Sequence, residues 1–407
     1  MNGYLKIAAF NENIARPLGG ALVQVLGGDG KVLEEVRTDD SGQTAGVPLP
    51  SPPTDYSLQP GSPQPYSLYD VRVNADGFGE VTVRGVQLLP DEETYQDVAL
   101  FPAASQGTAN TEIVIPPSTL YGDYPPKEPE DEVKPLPQST GLVVLPEPVI
   151  PEYVIVHAGV PSDSSAKDYW VPFRDYIKNC ASSEIYATWP VETLRANILA
   201  IISLTLNRVY TEWYRSKGYS FTITNSTRFD QAFVYGRSIY TEISRVVDEL
   251  FTNYVTKPDI RQPLFTQYCD GKTVQCPNWM TQWGSKSLGD QGYTAINILR
   301  SYYGWDVYLA QAEQVEGIPS SFPGGVLQVG SSGEAVRTVQ TQLNAISNNF
   351  PAIKKVAVDG VFGQDTRRAV EKFQSVFNLP SDGLVGRSTW YKISQIYVAV
   401  TNMAATV

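Results

Sequence analysis

The sequence predicts a multidomain fold, with an all-β sandwich first, an α+β domain in the centre and a three-helix domain last. Three observations carry this. Residues 1–104 alternate apolar and polar side chains between turn residues, residues 191–218 hold one long apolar segment of helical length, and residues 325–400 repeat a loop-and-helix pattern. At ~100–200 residues per domain, a chain of 407 residues holds two to four.

Composition narrows the classes. Hydrophobic residues make up 42% of the chain, enough for real cores, and the net charge of −12 argues against nucleic acid, whose binders are basic. The 24 Tyr and 7 Trp stand out beside a single His. Flat apolar rings with a polar edge suit sugars, although tyrosines in strands and interfaces explain most of them as well. Three cysteines, Cys180, Cys269 and Cys276, are no disulfide framework. With His157 alone, a His-based zinc site or a Ser-His-Asp triad has little material, so no metal and no cofactor are expected. The first residues, MNGYLKIAAFNENIARP, lack a basic region followed by an apolar one, so no signal peptide is read there. No run of ~18 apolar residues predicts a membrane span.

In the N-terminal piece, ALVQVLGGDGKVLEEVRT (21–38) is a hairpin around Gly-Asp-Gly, and YDVRVNADGFGEVTVRGVQLLP (69–90) repeats the pattern. These stretches resemble the carboxypeptidase-regulatory-like, transthyretin-type sandwich, which implies an accessory role. Residues 105–150, with PPSTLYGDYPPKEPEDEVKPLP, are too rich in Pro and acidic residues to bury a core, so an extended linker is expected. Exposed linkers are cut by proteases, which makes this segment either a plain spacer or a processing site.

Residues 151–317 form the central piece. VETLRANILAIISLTLNRVYTEWYRSKG (191–218) reads as one helix, with Thr188 as N-cap, Pro190 in the first turn and Gly218 at the stop. Two further helices are expected over 238–255 and 292–304. In the C-terminal piece, VDGVFGQDTRRAVEKFQ (358–374) and SDGLVGRSTWYKI (381–393) share Asp-Gly, two apolar residues, Gly, and then Thr366 or Thr389 near a helix start. With VGSSGEAVRTVQTQLNAI (329–346), this resembles the three-helix peptidoglycan-binding domain of cell-wall enzymes.

Two central stretches resemble the SpoIID-like catalytic domain. In SEIYATWPVETLRANILA the family's Glu-Ala-Leu-Lys-Ala-Gln falls on residues 192–197. Its distal motif falls on Met280–Gly284, Gln291–Tyr293, Ile298-Leu299 and Tyr302-Tyr303. The order of parts resembles the clostridial-type spore cortex-lytic enzymes (SleC type), most closely across 138–317. The resemblance implies a lytic transglycosylase acting on peptidoglycan glycan strands in the spore cortex or coat region at germination. It also implies a zymogen, activated by a subtilisin-like protease. Some members hold zinc with Cys and His near the distal motif. Here Cys276 stands about where the His would be, so Cys269 and Cys276 are expected as free or weakly paired thiols, with pairing or a shared metal left open.

A lytic transglycosylase needs one carboxyl that donates a proton and then takes one back. Glu192 is the residue assigned that role, with burial against Trp189 and Trp283 expected to raise its pKa against the helix-end field. A plain capping carboxylate is the competing reading. Glu184 is a second candidate, as a partner or substrate contact. Gln282, Trp283, Trp189, Tyr235, Tyr302 and Tyr303 are candidate glycan contacts, with core packing as the rival for each. Two other functions stay open: an N-acetylmuramoyl-L-alanine amidase, against which the single His counts, and a non-catalytic wall-binding protein.

Overall fold

The computed structural model describes residues 1–12, 16–103, 111–136 and 147–404. The chain forms two compact units, one of residues 1, 52–66 and 116–316, the other of residues 2–51, 67–115 and 317–407.

The second unit contains the expected sandwich. In one sheet, strand Asn2–Asn11 runs parallel to Glu93–Leu100 and antiparallel to Val47–Pro50 and Arg16–Pro17. The other sheet has the order Val32–Arg37, Leu22–Leu26, Ser67–Asn74, Val81–Leu88 and Thr111–Val114. Both expected hairpins are present, each with one register shift, at Val25/Leu26 and at Tyr69/Val71. Gly30, at φ +77°, takes the left-handed corner that the first turn requires. Leu5, Ile7, Val98 and Leu100 from the first sheet share one core with Val23, Val25, Val71, Val73 and Val83 from the second. Alternation along each strand puts these side chains inside.

The same unit holds the C-terminal helices Glu334–Ile346, Gln364–Val376 and Arg387–Ala404. The internal repeat has a physical cause. Gln340 Nε2 donates to Asp359 Oδ1, Val361 O and Thr366 Oγ1, while its Oε1 accepts from the Gly360 amide. Gln374 does the same with Asp382, Leu384, Thr389 and Gly383. Each glutamine side chain replaces the backbone partners that an irregular loop lacks. Thr366 therefore holds the preceding loop rather than capping its helix, whose N-cap position is Gly363.

The first unit is α+β. Strands Asp168–Pro172, Tyr153–His157 and Ile223–Thr224 form a three-stranded sheet. Helix Val191–Tyr210 runs through the centre, packed by Phe173–Glu184, Thr241–Leu250, Gln282–Asp290 and Ala295–Tyr303. It stops at Tyr210, before the expected end, and a 3₁₀ turn at Arg215–Lys217 closes on Gly218 at φ +88°. Thr188 is not its cap. The Thr188 hydroxyl donates to Ser57 Oγ at 2.8 Å, and Pro190 occupies the N-cap position. The helix expected over 238–255 covers Thr241–Leu250, because Asn253–Thr256 pairs instead with Tyr308–Gln311. β-branched Val255 and Thr256 favour that exchange. The third helix is Ala295–Tyr303, ended by Gly304 at φ +108°.

The expected linker is the largest departure. Residues 111–114 are a sandwich strand. Residues 116–136 are a strap bound along the first unit, without helix or strand. The strap takes its backbone partners from side chains and loop edges. Gln267 accepts from the Glu130 amide and donates to Glu128 O, and Gln262 does the same to both backbone groups of Lys134. The Phe265 amide donates to Glu132 O. Arg208, 1% exposed, joins strap Glu130 (2.6 Å) to Asp230 (2.7 Å). Proline-rich sequence thus stays extended, as expected, yet ordered by tertiary partners. Residues 104–110 and 137–146 of the expected processing segment lie outside the described residues.

Candidate active site

Helix Phe173–Glu184 ends at Glu184, where Ile185 turns extended. That ending drops the Glu184 side chain into the interior, 2% exposed. Its Oε1 accepts from the Ala232 amide at 2.7 Å, and its Oε2 accepts from the Tyr268 hydroxyl. Gln282 Nε2 donates to its backbone carbonyl at 3.0 Å. Burial pushes the Glu184 carboxyl up, against the opposing pull of the Lys127 ammonium and the two hydrogen bonds. Burial likewise pushes Lys127 down and Tyr268 well up.

Glu184, Tyr268 and Gln282 line a small pocket. The loop residues Cys269, Asp270, Thr273 and Val274 form one wall, and strap residues including Tyr124 and Lys127 form another. Lys127 Nζ donates to Asp230 O and stands 4.9 Å from the centre of the Tyr268 ring. The pocket has a volume of about 40 Å³ with the strap in place. A dry cavity of ~150 Å³ holds one benzene, so no sugar ring fits here. The second carboxylate of the pocket, Asp270, is occupied: its two oxygens accept from the Thr273 and Val274 amides, each at 2.7 Å.

Glu192 stands elsewhere, outside the pocket of Glu184. Its side chain is 32% exposed, with Oε1 on Arg195 at 2.6 Å and Oε2 on the Ala295 amide at 2.7 Å. It caps the neighbouring helix Ala295–Tyr303 and does not sit in an aromatic pocket. Trp189, 3% exposed, packs on Trp283 at 5.0 Å between ring centres and on Tyr186 at 5.9 Å, and donates its Nε1–H to Ser57 O. Trp189 and Tyr186 are buried here, and Trp283 is half-buried beside them. Tyr235 is exposed and stacks on Tyr169, Tyr302 lies near Thr281 Oγ1, and buried Tyr303 donates to Gln267 O. None of the five expected aromatic contacts, Trp189, Trp283, Tyr235, Tyr302 and Tyr303, lines the pocket of Glu184, and neither does Glu192. Of the expected site residues, the pocket unites Glu184 and Gln282. Tyr268, Asp270 and Lys127 were missed. Tyr268 left a faint signal beside Cys269, and Lys127 left none inside a segment read as linker.

Cys269 and Cys276 are joined as a disulfide, which corrects the expectation of free or weakly paired thiols. Cys180 is free and buried, its thiol pushed well up by burial. Among the described residues, no group of three or more His, Cys, Asp or Glu is placed to hold a metal, and no helix is long and apolar enough to cross a membrane.

Residues 332–393 match the family described as "Putative peptidoglycan binding domain". The chain is 42% identical over 73 residues to a zinc D-Ala-D-Ala carboxypeptidase of Streptomyces albus G, covering 18% of this chain and 27% of that protein. It is 36% identical over 97 residues to an uncharacterized protein in the bpoA1 3' region of Kitasatospora aureofaciens, covering 22% of this chain and 78% of that one. A spore cortex-lytic enzyme of Bacillus cereus is 38% identical over 96 residues, 23% of this chain and 34% of the enzyme. Among solved structures, the SleB N-terminal domain shares 38% identity over 18% of this chain and 93% of its own, with a TM-score of 0.16. The chain thus spans 27% of the carboxypeptidase and 34% of the cortex-lytic enzyme.

Proposed function

The chain belongs to the family that carries this peptidoglycan-binding domain, and we propose that its central domain cleaves the glycan strands of peptidoglycan with Glu184 as proton donor. One observation carries the reading: a fully buried carboxyl, pushed up by desolvation, faces a pocket whose other carboxylate is taken by backbone amides.

The mechanism follows from that pair. A glycoside hydrolase needs two working carboxyls, whereas ring closure by the sugar itself needs one. The neutral Glu184 gives its proton to the leaving glycosidic oxygen as the C1–O bond breaks. The resulting carboxylate, held by the Tyr268 hydroxyl and the Ala232 amide, takes the proton of the C6 hydroxyl. O6 bonds to C1, and a 1,6-anhydro end results with no water consumed. The activity is that of a lytic transglycosylase, and the central domain is of the SpoIID-like kind.

The strap makes the form described here latent, because it leaves no room for a sugar. Proteolysis between the strap and residue 151, by a subtilisin-like protease, would be the first step in freeing the groove. The relatives named spore cortex-lytic enzymes support the spore cortex as the place of action. A disulfide also fits an oxidising compartment.

The test is digestion of cortex peptidoglycan by the full-length and protease-nicked chains, with products identified by mass. Anhydro-muramic ends are expected from the nicked chain. Reducing sugar ends would mean hydrolysis, freed stem peptides an amidase, and no products from either form a binding protein without chemistry.

A further inference from the structure

Glu184 is held from two sides by segments that are far apart in sequence from it and close to each other. Tyr268, which donates to its carboxylate, directly precedes Cys269. Gln282, which donates to its carbonyl, directly follows Thr281. Tyr268–Cys269 and Met280–Thr281 pair as a parallel ladder of two residues each. So short a ladder does not hold itself together, since even an isolated hairpin is marginal in water. Residues 270–279 between the strands contain no helix or strand, and Gly271 and Asn278 both have positive φ. One covalent bond, Cys269–Cys276, closes this loop against the strand that carries Tyr268.

We propose that the Cys269–Cys276 disulfide is a positioning clamp: it fixes the pocket wall 269–276 and thereby keeps the Tyr268 hydroxyl and the Gln282 amide on Glu184. The loop has few other restraints. Asp270 caps the Thr273 and Val274 amides, Cys269 Sγ meets Val274 O, and the Asp270 carbonyl takes the Trp283 amide. All of these close the loop on itself or on the segment it leads to. Without the bond, the wall opens, Tyr268 loses its fixed neighbour, and water reaches the carboxyl. The inference concerns the setting of Glu184 and rests on the reading of Glu184 as the working carboxyl for its significance only.

Two readouts that need no turnover test it on the full-length chain. Lys272 lies in the loop and is a trypsin site. Carbodiimide labels protonated, accessible carboxyls, and peptide mass reports Glu184. In Cys269→Ser/Cys276→Ser, cleavage after Lys272 should accelerate about tenfold or more, with buried Arg208 left uncut. Labelling of Glu184 should rise severalfold, and Tyr268→Phe should raise it likewise. Combining all three substitutions should add little to either alone, because both act through the same hydroxyl. Reducing the natural chain with a dithiol gives the second route, with two electrons and two protons passing to the cystine as the reagent closes its own disulfide. Reoxidation should restore protection. Unchanged Glu184 labelling with the bond broken overturns the proposal, whatever happens at Lys272. So does cleavage at Arg208 together with Lys272, which would make the bond a general staple of the domain. A protease-nicked chain that releases no anhydro-muramic ends while the labelling behaves as expected refutes the proposed chemistry and leaves the clamp standing; a nicked chain that releases them with unmoved labelling does the reverse.

Discussion

At the residue scale, two glutamates eight positions apart in SSEIYATWPVETLRANIL have opposite settings. Glu192 spends both oxygens on Arg195 and the Ala295 amide. Arg195 at i+3 was visible in the sequence, and that spacing is the ordinary signature of a helix-surface pair. It outweighed the aromatic burial expected from Trp189. Glu184 could not be ranked from the sequence, because its partners Ala232 and Tyr268 lie 48 and 84 residues away. Glu184→Gln is therefore expected to lower activity about 10²–10⁴-fold, the usual worth of a proton donor. Glu192→Ala should keep most activity and lose about 1 kcal/mol of stability, the cost of a cap, read as a lower Tm. The pH dependence has a definite sign. A carboxyl whose folded pKa is raised favours the native state at low pH, and that contribution is lost as pH rises through the folded value. Glu184→Gln should thus stabilise the protein at pH 7 and not below pH ~4, measured by Tm against pH. Tyr268→Phe removes a bond that favours the ionised form, so the alkaline limb of the activity profile should move to higher pH. A limb that stays put, or moves down, would remove Glu184 from the role of acid.

At the scale of elements, alternation and turn chemistry made the hairpins legible, although not the register shift that each of them contains. Helix existence was legible too, but helix ends were not. Residues 253–256 left their helix because a strand at 308–311, distant in sequence, offered a better partner. The three C-terminal helices were legible from their repeat, although the reason for the repeat was not. Asp-Gly and Thr were visible as a pattern, whereas the glutamine that binds them belongs to the previous helix. Gln374→Ala strips the Asp382–Thr389 loop of its partners and leaves the Gly383 amide buried without one. A loss of about 1–3 kcal/mol is expected, with equal loss from Gln340→Ala and weakened sedimentation with peptidoglycan in both. If either substitution proves neutral in Tm, the clamp is not what holds these loops.

At the scale of the molecule, the plan of beads on a string gave way to interleaving, since one compact unit draws on residues 52–66 as well as 116–316. Nothing in local composition reports such an arrangement. A segment dense in Pro and Glu reads as solvated, and its burial depends on Arg208, Gln262 and Gln267, which no pattern near it announces. This has a consequence for activation. A cut between the strap and residue 151 severs the backbone but leaves every strap contact in place, including the Glu130–Arg208 pair and the two glutamine bridges. Nicking alone should then give slow, incomplete activation that lags behind cleavage. Weakening the strap should substitute for cutting. Glu130→Ala removes a carboxylate that Arg208 shares with Lys134 and leaves Arg208 with Asp230, and the ion pairs here are buried, so added salt will not mimic the change. The uncut Glu130→Ala chain should release anhydro-muramic fragments about tenfold faster than the uncut natural chain, while Asp131→Ala should not. Equal rates for the two variants would mean that the strap does not govern access to Glu184.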